Sequence, residues 1–466
     1  MARIGVLALA RPTFDVPFAE EKAAAAFAAL ERTGHALVGS RALLFDAAAA
    51  EAAMADLDRE TLDVLLLLQV TFTDASMTVK IAERARAPLA IWAFPEPRTG
   101  GRLRLNSFCG LNLAAHALGR AGKEYRWLYG APEAPAIDAD LGTLLTGGAA
   151  PVGAAPAGPA PGTEERRAAE AVLAALKGRR IGLIGEHPAG FDTCRYDAGE
   201  LKALAGVEVE QIPLPALFER ARAVPTDRVA ATKEAVGQKI SGLDEVDQPQ
   251  LDKSLSVFHA LEGLAKDERF SAMAVRCWPE MFTDYGCAAC GPMGLMNQAK
   301  VPCACEADMY GSLTALALQE LAGEPSFLVD IVDMDSASDT GVLWHCGLAP
   351  MSMADPATPP AAQIHSNRRM PLLQEFALKP GRVTAARFSQ ARNATKLVIA
   401  GGEMISAPKS FTGTSGVIRF DRPAGEVAAA MMDLALEHHV AIVYGDVRGS
   451  LRALGEAMGL DVVELA

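Results

Sequence analysis

Two carboxylates carry the strongest chemical signal in the chain. Glu306 follows Cys303-Ala-Cys305 and opens an apolar pattern, Met309, Leu313, Leu316 and Leu321, at helical spacing. The pattern predicts a helix with Glu306 at its start, on the apolar face, ending near Gly323-Glu-Pro325. Asp330 lies inside Phe327-Leu-Val-Asp-Ile-Val332, a run that predicts a buried strand. An acid on an apolar face and another inside an apolar strand are each costly to bury unless a positive charge compensates them. A divalent cation would do so. The plain structural alternative is a helix cap for one acid and an Arg or Lys partner for the other. The two stand 24 residues apart, one helix and one turn.

Eight histidines are available as further ligands. His438-His439 stands where a helical stretch hands over to the apolar run Val440 to Tyr444. Neighbours on a strand point to opposite faces, so at most one of the pair joins a given site. A mixed carboxylate and imidazole set suits Mn²⁺ or Mg²⁺ better than zinc in a sulfur site. The cysteines offer a rival. Cys287-Ala-Ala-Cys290 and Cys303-Ala-Cys305 put four thiols within twenty residues, with Cys277 nearby, a set that could bind zinc or an iron–sulfur cluster. Their surroundings are apolar and rich in Gly, Pro and Met, where a free Cys commonly serves as packing. Arg11, Arg98, Arg102, Arg104 and Arg195 fall on or near expected strand-end loops. One or two of them in a cleft would bind hydroxyls or an acid group. No P-loop, GxGxxG or G-x-S-x-G pattern is present.

The elements that must position these residues follow an alternating β/α grammar. Ile4–Leu9, Asp63–Leu68, Leu89–Phe94 and Glu124–Tyr129 read as strands, with helices over Phe18–Arg32, Met77–Arg86 and Leu111–Ala121. Ligands in open parallel sheets gather at the carboxyl ends of the strands, here Arg11, Gln69-Val-Thr71 and Glu96-Pro-Arg98. Residues 147–162 are Gly, Ala and Pro apart from one Val and read as a linker or long surface loop. A helix over Glu164–Leu176 and a strand from Arg180 open a second β/α unit, and 190–265 carry mixed helical signals. Beyond about residue 350 come the strands Gly381–Phe388, Thr395–Ala400 and Ser415–Phe420 with turns between them, the pattern of an antiparallel sheet or small barrel. A helix over Ala424–Glu437 then leads into the strand at Val440. The fold class expected is therefore α/β. Open-sheet α/β domains span 1–162 and 163–350, the second carrying the metal ligands, and a C-terminal domain over 351–466 contains an antiparallel, barrel-like part.

The chain has 466 residues, half of them hydrophobic and 22% charged, enough for two or three domains and a large core. A net charge of −13 argues against a nucleic-acid surface, although a local Arg cluster can still hold a small anion. Met1-Ala-Arg-Ile-Gly-Val-Leu-Ala reads as a first strand rather than a signal peptide, and no apolar run reaches membrane-spanning length. Eight cysteines without a secretory segment point to a reducing cytoplasm.

At Glu306 and Asp330 the chain resembles the L-fucose/L-arabinose isomerase superfamily, and L-fucose isomerases most closely. That family carries a metal-binding Glu before a helix and a metal-binding Asp 24 residues later on the next strand. Its third ligand is a His six residues before a Gly at the start of a C-terminal strand, the place taken here by His439 before Val440-Ala-Ile-Val-Tyr-Gly445. His345 resembles a His that L-arabinose isomerases use in their site, and Ile91-Trp-Ala-Phe94 through Tyr129-Gly130 resembles the family's first domain. The resemblance implies a Mn²⁺-dependent aldose–ketose isomerase, with Mg²⁺ or Co²⁺ as substitutes, assembled as a trimer or hexamer. It implies that Glu306, Asp330 and His439 hold the metal and that Glu306 and Asp330 shuttle a proton through an enediol. His345, Trp278, Arg11 and Arg98 are then the expected sugar contacts, Trp278 either stacking on the sugar or filling core. L-Fucose, D-arabinose, L-arabinose and an acidic, sulfonated hexose are the substrates in view. A non-catalytic sugar binder and a Cys-ligated zinc or redox protein remain the alternatives.

Overall fold

Three sheets organise the chain, and the computed structural model describes residues 1–466. The first sheet holds β1 (Arg3–Leu9), β2 (Ala36–Val38), β3 (Leu43–Leu44), β4 (Val64–Gln69), β5 (Leu89–Ala93) and β6 (Arg126–Tyr129). Its order is β2-β1-β4-β5-β6, with β3 beside β1, and every pairing is parallel. The unbroken apolar run Leu65-Leu-Leu-Leu68 lies in the central strand and is buried throughout, as a strand covered on both faces requires.

The second sheet is also parallel. It holds β7 (Arg180–Ile184), β8 (Glu208–Ile212), β9 (Phe270–Val275) and β10 (Cys303–Ala304), in the order β10-β9-β7-β8. The mixed helical signals over 190–265 resolve into the helices Ala198–Ala205, Leu214–Arg222, Thr226–Gly237 and Gln248–Asp267. The last of these starts where Asp247 accepts a hydrogen bond from the Gln250 amide and a proline occupies the first turn.

The third sheet is mixed and has nine strands: β11 (Phe327–Asp335), β12 (Thr340–His345), β13 (Ala361–Gln363), β14 (Leu373–Ala377), β15 (Gly381–Ser389), β16 (Lys396–Ile405), β17 (Thr414–Phe420), β18 (His439–Tyr444) and β19 (Asp461–Glu464). Six of these, β11, β12, β15, β16, β17 and β18, pair antiparallel among themselves, and each has two partners in that group. The α/β class expected from sequence holds. One assignment changes: the strand of Asp330 does not close the second sheet. It pairs antiparallel with β12 and β18 and so belongs to the third sheet. The helix before it, Met309–Ala322, packs against both β9 and β18 and bridges the two sheets. A run of apolar residues marks a strand but does not say which neighbour it will pair with.

Residues 147–162 form no helix or strand, as their composition predicts. They are nevertheless tied down. The Val152 amide donates to Asp433 (2.6 Å), and the Ala155 and Gly158 amides donate to the Glu464 carbonyl and side chain (2.7 Å each). One apolar core runs from Leu67 and Ile91 through Met273 and Val275 to Ile331 and Ile442, so all three sheets share it. No helix is long and apolar enough to cross a membrane.

Candidate active site

Glu306 stands just after β10, in a single tight turn over Cys305–Ala307. Glu306 and Ala307 both take left-handed backbone angles (φ 56° and 57°), a conformation that costs a non-glycine residue about 1 kcal/mol or more. The helix starts after them, because Asp308 caps it by accepting from the Gly311 amide at 2.8 Å. This corrects the expectation of Glu306 on the helix's apolar face. The turn aims its side chain away from the helix, towards the third sheet.

Asp330 and His439 are direct cross-strand partners on β11 and β18. Three atoms meet there. His439 Nε2 lies 3.2 Å from Glu306 Oε2 and 3.4 Å from Asp330 Oδ1. All three are buried and lack a hydrogen-bond partner. The other imidazole nitrogen explains the geometry: His439 Nδ1 lies 2.9 Å from Asp308 Oδ2, and Asp308 is also paired with Arg387, both fully buried. A proton held on Nδ1 for Asp308 leaves the Nε2 lone pair facing the two carboxylates. Two oxygens and one imidazole nitrogen, all hard donors without protein donors of their own, fit a divalent cation.

Charges around this point are set by burial and by one another. Burial pushes Asp330 above the usual carboxylate range, and the charges of Glu306 and Asp308 add to that push. Burial acts on Glu306 in the same direction, but the neighbouring His439 ring and the Trp278 indole N–H outweigh it and hold Glu306 low. In Asp308 burial is outweighed by Arg387 and His439, and the carboxyl sits well below its ordinary range. Thiols surround the centre: Cys194 beside Asp308 and His439, Cys109 beside Asp330, and Cys277 with Cys305 beside Glu306, each group within 4.8 Å. Burial raises Cys109 and pushes Cys194 up to about 12. Without a cation beside them both are protonated thiols.

The four-cysteine alternative does not assemble. Of Cys287, Cys290, Cys303 and Cys305 only Cys305 falls in a group of three potential ligands within 4.8 Å, and its Sγ lies 2.9 Å from Cys277 Sγ. Adjacent sequence positions sent these thiols into different contacts.

Around the centre lies a cleft, part of it open to solvent. Of the expected sugar contacts, His345, Trp278 and Arg11 line it; Arg98 does not. His345 Nδ1 accepts from the Cys346 amide at 2.8 Å, its Nε2 is unpartnered, and burial lowers its pKa to about 4, so the ring is neutral. Trp278 lines the cleft and is tied to its neighbours. Its Nε1–H donates to Glu306 Oε1 (3.2 Å), and the Arg11 guanidinium lies 5.6 Å from its ring centre. Arg98 instead donates to Asp333 Oδ2 (2.6 Å) and Thr340 Oγ1 (2.7 Å), on β11 and β12. A strand-end arginine reads the same in sequence whether it faces a cleft or a neighbouring sheet.

The expectation that only one of the two adjacent histidines joins the site is not met: His438 precedes β18, both line the cleft, and their ring centres are 4.6 Å apart. His438 Nδ1 lies 3.1 Å from Asn112 Oδ1 on the buried helix Ser107–Arg120, although His438 still comes within 4.8 Å of Asp330. The sequence reading missed Asp308, Arg387, Asn112 and Arg368. Asp308 carries a local signal, an Asp before an apolar helical pattern, but that signal announces a cap and not its reach to His439. The other three carry none.

Comparison with known proteins bears on the same residues. Residues 5–148 match the family model described as fucose/sulfoquinovose isomerase, N-terminal domain. The sulfoquinovose isomerase of Alkalicoccus urumqiensis is 31% identical over 404 residues, 86% of each chain. That of Clostridium sp. (strain MSTE9) is 30% identical over 402 residues, 85% of each chain. That of Priestia megaterium is 28% identical over 454 residues, 97% of each chain.

Proposed function

Because the chain belongs to the fucose/sulfoquinovose isomerase family, we propose that it is a divalent-metal-dependent aldose–ketose isomerase acting on an open-chain sulfonated hexose. The observation that carries this reading is the meeting of Glu306 Oε2, Asp330 Oδ1 and His439 Nε2, three unpartnered donors at one point of the cleft. Those residues would hold Mn²⁺, or Mg²⁺ or Co²⁺ in its place. When bound, the cation would polarise the sugar carbonyl and offset the negative charge that develops on the enediol oxygens.

The residues of the chain supply the rest. Isomerisation removes a proton from C2 and places one on C1. Glu306 and Asp330, each with an oxygen within 3.4 Å of His439 Nε2, are the acids that would shuttle it. Trp278 steadies Glu306 through Oε1 and leaves Oε2 facing the centre. Asp308 fixes the orientation of the His439 ring. Neutral His345, its Nε2 free, is placed to bond a sugar hydroxyl.

The test follows conversion of 6-sulfonated glucose to its ketose. Treatment with EDTA should abolish turnover and Mn²⁺ should restore it. Glu306→Gln should lower kcat by about a thousandfold or more, in line with loss of an acid–base group that is also a ligand. An enzyme indifferent to chelation, or a Glu306→Gln variant of near-normal activity, would overturn the proposal.

A further inference from the structure

We propose that Arg11 and Arg368 seat the anionic group of the substrate and set the preference for a sulfonated over a neutral hexose. The proposal rests on the isomerase reading above and assigns to it a specificity site that the metal ligands do not provide.

Both arginines line the same cleft as Glu306 and Asp330. Arg11 follows the carboxyl end of β1, and Arg368 lies in the loop between β13 and β14. Arg11 is held from behind, its Nη2 donating to Asp74 Oδ2 at 2.8 Å. Its guanidinium lies over Trp278, which in turn bonds Glu306, so one indole separates it from the metal-ligating carboxylate. Arg368 is half-buried, with its guanidinium 5.9 Å from the Phe282 ring centre. No carboxylate pairs with it. Burial and the charge of Arg11 both disfavour its cationic form, with the Cys277 thiol the only opposing neighbour. Two cations lining one partly desolvated cleft repel, and an anion bound by both relieves that cost.

The seat is also built in advance. Arg102 staples its two sides together, donating from Nε to Asn367 Oδ1 (2.8 Å) and from Nη2 to the Thr13 carbonyl (2.5 Å). His365 Nδ1 accepts from the Asn367 and Arg368 amides (3.2 and 3.3 Å) and so fixes the turn that carries Arg368. A planar guanidinium fork matches the oxygens of a sulfonate, which stays ionised at every working pH. The local pair is needed because the chain as a whole carries −13 and repels anions. A hexose whose C1–C2 end lies at Glu306 and Asp330 extends its C6 substituent away from them, towards the rest of the cleft.

The test compares two substrates that share a carbon skeleton, 6-sulfonated glucose and 6-deoxyglucose, in the Mn²⁺-loaded enzyme. The wild type should prefer the sulfonated sugar. Arg368→Met should raise its KM roughly ten- to a hundredfold, as loss of a charge-assisted contact implies, with kcat changed far less. The same variant should leave kcat/KM for 6-deoxyglucose within a few-fold, so the preference collapses. Arg368→Lys, which keeps the charge and loses the fork, should fall between. An Arg368→Met enzyme that keeps the wild-type ratio of the two kcat/KM values overturns the proposal. Wild-type protein that turns over neither sugar would instead sink the isomerase reading. Methanesulfonate should also compete with the sulfonated sugar in the wild type; if the variants do not fold, failure of that competition overturns the proposal.

Discussion

His439 serves two neighbours through its two ring nitrogens, and the division sets the character of the site. Nδ1 is committed to Asp308, so Nε2 is left facing Glu306 and Asp330. His345 shows the opposite treatment of the same side chain. It has no acid at hydrogen-bond distance, and burial lowers its pKa from 6.5 to about 4. Between those values the unfolded chain binds a proton that the folded chain refuses, so stability rises with pH across the window and is lost on acidification. In the EDTA-treated protein this one residue should account for about 2 kcal/mol of the difference in unfolding free energy between roughly pH 7.5 and 5. Urea unfolding of His345→Gln should show a pH dependence shallower by that amount. An unchanged slope would mean that the ring titrates normally.

At the scale of elements, the helix Met309–Ala322 and its cap tie the second sheet to the third. Asp308 caps the helix, orients His439 and neutralises Arg387 of β15. Asn at this position still caps and still accepts a hydrogen bond, so Asp308→Asn isolates the charge. Leaving Arg387 buried without its partner should cost about 3–5 kcal/mol in urea unfolding. Adding Arg387→Met to Asp308→Asn should recover part of that loss. If the single variant unfolds at the wild-type midpoint, the pair is not the joint described here. Helix boundaries were legible where capping chemistry is local, as at Gly323, whose left-handed φ of 68° ends this helix as expected. They were not legible at the helix over Ala424–Asp433, which stops short of Glu437. Ala435 takes φ 56°, and Glu437 leaves the helical path to bond Ser389 Oγ (2.6 Å) and the Gln390 amide (2.7 Å).

For the whole molecule, the joints between sheets matter as much as the sheets. Arg98 leaves the first sheet and reaches Asp333 on β11, where Tyr129 of β6 also donates to the same carboxylate. Burial raises the pKa of Asp333 and Arg98 opposes it, so this guanidinium is what keeps a buried acid tolerable between two sheets. Arg98→Met should therefore cost about 3 kcal/mol of unfolding free energy, read by urea denaturation. A variant as stable as the wild type would show that the sheets do not depend on this contact.

The sequence by itself determined the layers and the two buried acids. The apolar run of β4, the β/α alternation, the antiparallel C-terminal strands and the acids 306 and 330 are all written in local periodicity and burial cost. The place of His439 came through family resemblance, because nothing local joins it to residues more than a hundred positions away. Tertiary structure alone decided which strand β11 pairs with, that the four cysteines part, that Arg98 braces two sheets and that Arg368 shares a cleft with Arg11. Each of these depends on contacts between segments distant in sequence, and periodicity carries no information about partners. The left-handed turn at Glu306 belongs to the same class: the residues after it suggested a helix, and only the packed structure showed the acid standing outside it, turned towards Asp330 and His439.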